Sequence, residues 1–147
     1  MDKPIDHKTW ILVADGEKAL FLENLGDSDL PNFAIRRVEE HENPPDREQG
    51  ANKPGRLHDG GGNHRSAVED TDWHQLEKER FAAEIADLLY KMAHRGQFEK
   101  IVIVAPPRIL GEMRQHFHKE VQARIVGEID KDLTNHPLDQ IEKLLAA

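Results

Sequence analysis

Apolar and polar positions fall into blocks along this chain, and the period within the blocks changes from one to the next. Residues 9–14, TWILVA, form a compact apolar run that ends at Asp15-Gly16, which reads as a buried strand followed by a turn. Residues 19–25, ALFLENL, read as a second strand, so the pair predicts a hairpin with a short loop. Residues 33–41 read as a third strand, in which Phe33 and Ile35 alternate with polar positions and charge accumulates toward the end. Such charge suits an edge strand that must avoid pairing with other chains.

Further on the period becomes helical. Leu76, Phe81, Ile85, Leu88, Leu89 and Met92 recur at 3.6-residue spacing and predict a helix over residues 73–95. Asp70, Thr71 and Asp72 offer cap oxygens before it, and Gly96 offers a stop. Residues 100–105, KIVIVA, are fully apolar, as in a strand at a sheet centre, and Pro106-Pro107 ends them. Ile109, Leu110, Met113 and Phe117 predict a short amphipathic helix, and residues 123–129 another strand. A last helix begins near His136-Pro137 and carries Leu138, Ile141, Leu144 and Leu145. The order β-β-β-α-β-α-β-α implies an α/β protein with a mixed five-stranded sheet. Its helical crossovers favour parallel strands with right-handed connections. The order is similar to the ribonuclease H-like fold, an analogy of architecture that carries no activity by itself.

One block has no period. Residues 43–66, NPPDREQGANKPGRLHDGGGNHRS, hold five of the chain's ten glycines, and Ala51 and Leu57 are their only apolar members. A stretch this long between a strand and a helix is usually functional or mobile. From Asp46 to Arg65, Arg47, Lys53, Arg56 and Arg65 stand against Asp46, Glu48 and Asp59, a local net of +1, with His58 and His64 besides. The whole chain carries −8. A cationic loop on an acidic body is able to meet phosphate through Arg side chains and backbone N–H groups, while a plain solvated loop has the same composition.

The overall charge excludes a global basic field for DNA or an anionic membrane, and no apolar run approaches the roughly 20 residues that span a bilayer. The chain lacks cysteine, which excludes disulfides and thiolate metal sites. No apolar leader opens the sequence, so the reading is a cytoplasmic protein of one domain over residues 1–147. No motif calls for a cofactor. His58, Asp59 and His64 match no metal-ligand spacing, so no metal site is assigned. Asp15 resembles a first nuclease carboxylate, yet Ala105-Pro106-Pro107 stands where a further acid is needed, and a hairpin turn residue is the favoured reading of Asp15.

Taken together, TWILVADGEKALFLEN, PGRLHDGGGNHRSA, EKERFAAEIADLL, KIVIVAPPRILGEMR and KDLTNHPLDQIEKLL resemble, in their order more than singly, the bacterial "protein required for attachment to host cells" family. The resemblance covers nearly the whole chain. That family is similar in turn to the middle domain of archaeal and eukaryotic peptide-chain release factors. The resemblance implies a ribonuclease H-like domain with its working loop before the first helix and a ribosomal or tRNA partner. In release factors that loop carries Gly-Gly-Gln. The nearest matches here, Gly60-Gly61-Gly62 and Gly61-Gly62-Asn63, lack the glutamine. Asn63 and His64 are the catalytic candidates, and Arg47, Lys53, Arg56, His58, Gly60, Gly61, Gly62 and Arg65 the binding candidates. Two other functions fit the sequence: an interaction protein of surface attachment without chemistry, and a metal-dependent nuclease.

Overall fold

The computed structural model describes residues 5–41 and 63–146, and the side chains of residues 63–72 are not described. Five strands form one sheet in the order β3-β2-β1-β4-β5. They are β1 (Trp10–Ala14), β2 (Lys18–Asn24), β3 (Phe33–Glu40), β4 (Ile101–Val104) and β5 (Ile125–Ile129). β1 pairs antiparallel with β2 and β2 antiparallel with β3, whereas β1–β4 and β4–β5 are parallel. The mixed sheet of the α/β class is therefore the one the hydrophobic pattern implies.

The helices are α1 (Asn63–His94), α2 (Pro107–His116), α3 (Lys119–Gln122) and α4 (Leu138–Ala146). One sheet face packs on α1, α2 and α3 through Leu12, Phe21, Ile101 and Ile103 against Phe81, Ile85, Leu89 and Met113. The other packs on α4 through Ile11, Val13, Leu22, Val102 and Val104 against Ile141 and Leu145. β1 and β4 are buried at every position because both their faces are covered. Each such Leu, Ile or Phe contributes about 1.5–3 kcal/mol through burial.

Local chemistry fixes the ends. Gly96 adopts φ +75°, and the amides of Gly96 and Gln97 close the end of α1 on the carbonyls of Ala93 and Met92. Gly26 lets the β2–β3 turn fold so tightly that a Cβ there would sit 2.1 Å from the Leu30 carbonyl oxygen. Buried Asn24 fastens that turn, since its Nδ2 donates to the Ile5 carbonyl and its Oδ1 accepts from the amides of Gly26 and Asn32.

The structure departs from the sequence reading in four places. α1 begins at Asn63, ten residues before the expected start, so Asp70, Thr71 and Asp72 lie within the helix and are not its caps. Residues 63–66, expected in the long loop, are helical for the same reason. Leu76 and Leu144 are 42% and 39% exposed and do not join the core. The strand expected from residue 123 begins at Ile125, because His118 caps the single turn α3 by accepting the Glu120 amide.

Candidate functional site

β1, β4 and β5 are mutually parallel, and β3 runs the same way through its two antiparallel steps. Their carboxyl ends therefore share one edge of the sheet. β1 leads outward to β2 while its other neighbour, β4, is reached by a crossover, so the direction of chain progress reverses between β1 and β4. The crevice at such a switch point is where open α/β sheets bind ligands.

Asp15 stands at that point, directly after β1. Its Oδ1 accepts the amides of Glu17 and Lys18, both at 2.7 Å, and so shapes the β1–β2 turn. Its Oδ2 accepts the hydroxyl of Thr134 at 2.7 Å. Thr134 is 3% exposed, and its hydroxyl also lies 3.0 Å from Asp132 Oδ1. A hydroxyl has one proton, so the shorter contact makes Asp15 the main acceptor. Both Asp15 oxygens are thus committed to holding the edge together, in keeping with the turn reading. Among the described residues no three histidine or carboxylate side chains converge as metal ligands.

A second group fastens the end of β3 to α1. His41 Nε2 donates to Glu77 Oε1 at 2.7 Å, and Arg80 Nη1 donates to Glu77 Oε2 at 2.9 Å. The His41 and Glu77 side chains are only 16% and 14% exposed. The imidazole lies 5.8 Å from the Phe81 ring, and the His41 amide donates to the Glu17 carbonyl. Gly16 in the hairpin turn lies under Lys78 of the same helix, where a Cβ would come within 2.8 Å of Lys78 Cγ. Arg108, at the start of α2, reaches Gln75 Oε1 at 3.4 Å.

These contacts place the two ends of segment 42–62. It leaves the sheet after His41 at the carboxyl edge and re-enters at Asn63, the first residue of α1. Fourteen residues separate Asn63 from Glu77, so the helix starts about 21 Å along its axis from the Glu77 anchor. Trp73, His74 and Leu76 are exposed, and the first buried residue among the described side chains of the helix is Phe81. Residues 42–62 join the end of β3 to the first residue of α1.

Of the sequence candidates, Arg47, Lys53, Arg56, His58, Gly60, Gly61 and Gly62 lie outside the described residues. Asn63, His64 and Arg65 form the start of α1, and only their backbone is described. Sequence reading missed the Asp15–Thr134 and His41–Glu77–Arg80 contacts. His41 had a usable signal, its position at the junction of strand and loop, whereas Thr134 had none. A cleft of about 480 Å³ lined by His7, Lys8, Glu23 and residues 96–100 lies at the opposite edge, away from both groups.

Fold and site together define an α/β protein with a long glycine-rich segment between its outer strand and the long helix α1. Residues 8–145 match the family described as bacterial archaeo-eukaryotic release factor family 12, and the chain belongs to that family. It is also similar to the uncharacterized protein RP470 of Rickettsia prowazekii (strain Madrid E), with 31% identity over 55 residues. That match spans 37% of this chain and 37% of the relative. No helix among the described residues is long and apolar enough to cross a membrane.

Proposed function

We propose that this protein is a cytoplasmic release-factor-like module that contacts ribosomal or transfer RNA through residues 43–66 and the tip of α1. The observation that supports the reading is where the described residues on either side of that segment lie. It leaves the sheet at the carboxyl edge, where the half-buried His41–Glu77 contact ties the end of β3 to α1, and it leads into the first residue of α1. Membership of a release-factor family supports a partner in translation. Arg47, Lys53, Arg56, His58 and Arg65 supply guanidinium, ammonium and imidazole groups for phosphate, and Gly60, Gly61 and Gly62 let the backbone approach closely. The hairpin-linked strands followed by two helical crossovers support the ribonuclease H-like reading of the fold.

Contact, rather than peptidyl-tRNA hydrolysis, is the function proposed. Glycine at the third position of Gly60-Gly61-Gly62 brings no amide, and Asn63 brings one on a shorter side chain than glutamine. Any attachment phenotype suggested by the host-attachment resemblance then follows indirectly from translation. Sedimentation of purified protein with ribosomes through a sucrose cushion tests the reading. The wild type co-sediments, and the triple variant Arg56→Ala, His64→Ala, Arg65→Ala loses at least tenfold in bound fraction. Undiminished binding by a correctly folded triple variant sinks it.

A further inference from the structure

The outer edge of β3 has the chemistry of a self-pairing surface. Among the described residues no strand lies beyond it. The phase of its backbone follows from one contact. The His41 amide donates inward to the Glu17 carbonyl, so in antiparallel pairing alternate residues counted back from His41 bond toward β2. Glu39 and Arg37 are the inward ones. Val38 and Glu40 are the outward ones, and their N–H and C=O groups point away from the sheet.

The side chains on this edge are arranged symmetrically about Val38. Residues 36–40 read Arg-Arg-Val-Glu-Glu. Turned antiparallel on itself with Val38 opposite Val38, the sequence sets Arg37 against Glu39 and Glu39 against Arg37. Both belong to one sheet face, since Arg37 is registered with Phe21 and Glu39 with Ala19. They already form an ion pair of 2.6 Å within one copy, with side chains 48% and 34% exposed. Charge on an edge strand discourages pairing except in a register that sets opposite signs against each other, and here the two signs lie on opposite sides of Val38. On the opposite face Val38 and Ile35 are 46% and 50% exposed, beside Leu20 and a cleft of about 340 Å³ bordered by Leu138 and Ile141. The apolar surface thus adjoins the same edge.

We propose that two copies of this chain pair antiparallel through β3, with a two-fold axis at Val38, and join their sheets into one of ten strands. Val38 then exchanges both backbone hydrogen bonds with its own mate. Arg37 and Glu39 from the two copies form a ring of four alternating charges on one face, and the valines meet on the other. Such an interface is isologous, and its charges are complementary only to themselves in that register. The β-bulge between Phe21 and Leu22 leaves Arg36 as the extra residue, and its ion pair with Glu23 at 2.8 Å keeps it out of the ring.

Sedimentation velocity over a concentration series tests the proposal with three variants. Arg37→Glu leaves four acidic groups around the axis and Glu39→Arg leaves four basic ones. Each weakens self-association at least about tenfold, since each turns cross-strand attractions into repulsions. An equimolar mixture of the two recovers a dimer, because one variant presents only acids to the other's bases. The third variant, Val38→Pro, removes an amide that faces away from β2, so it abolishes the dimer while the sheet stays folded by circular dichroism. A wild type that stays monomeric up to about 1 mM overturns the proposal, as does a dimer that survives both charge reversals. Failure of the mixed variants to associate also overturns it, because their pairing follows from the register alone.

Discussion

At the scale of single residues, one hydroxyl links the two turns of the carboxyl edge. Thr134 donates to Asp15 across 119 positions of sequence, and both sit where the parallel strands end. Replacing it by valine keeps the shape but leaves Asp15 Oδ2 without its donor, which costs about 1–2 kcal/mol. Thr134→Val therefore lowers the urea midpoint, and Thr134→Ser, which keeps the hydroxyl, recovers most of it. Loss in Thr134→Ser with none in Thr134→Val would instead locate the effect in the methyl group. Asp15 was legible in part, because an Asp-Gly dipeptide after an apolar run marks a turn and the carboxylate does accept the turn's amides. Its second partner was not legible. Thr134 belongs to no periodic pattern, and nothing local distinguishes a hydroxyl that donates to a distant carboxylate from one facing water.

At the scale of elements, α1 shows which helix residues a hydrophobic pattern is able to reveal. Phe81, Ile85, Leu89 and Met92 are buried and recur at helical spacing, so that half was readable. Residues 63–72, NHRSAVEDTD, have only Ala67 and Val68 as apolar members, and Asp70, Thr71 and Asp72 imitate caps within a helix that had already begun. The pattern reports a periodic apolar stripe, and a helical segment whose sequence lacks one leaves no trace in it. Between the two halves stands the His41–Glu77–Arg80 contact. Removing the imidazole by His41→Ala leaves a shielded carboxylate with Arg80 as its remaining partner. Amide exchange over residues 74–80 then quickens about tenfold, consistent with losing a hydrogen bond to a charged group. Exchange over residues 85–93 stays unchanged, since that stretch is held by the core. Uniform acceleration along the whole helix would assign His41 a role in global stability instead of in anchoring this end.

The whole molecule sets a sign problem that any nucleic-acid partner must overcome. It has 28 acidic residues against 20 basic ones, so its mean field repels phosphate, and the proposed contact depends on the local excess of cations in residues 46–65. This makes the salt dependence of binding diagnostic. Each phosphate neutralised releases condensed counterions, and log K falls with log salt by about 0.7 per contact on single-stranded nucleic acid. Exchanging Arg47, Lys53, Arg56 and Arg65 for glutamine removes four positive charges and takes the net charge from −8 to −12. If all four residues meet phosphate, the slope for ribosome or tRNA binding becomes shallower by about 3. The same change in net charge made away from that segment, by replacing Lys143 on α4, Lys119 on α3 and Arg124 and Lys131 on either side of β5 with glutamine, alters the mean field equally and leaves the slope as it was. Equal slopes in the two quadruple variants would mean that the glycine-rich segment is no closer to phosphate than the rest of the surface. A difference confined to the first variant ties the contact to that segment, because only a direct counterion exchange distinguishes two proteins of identical net charge.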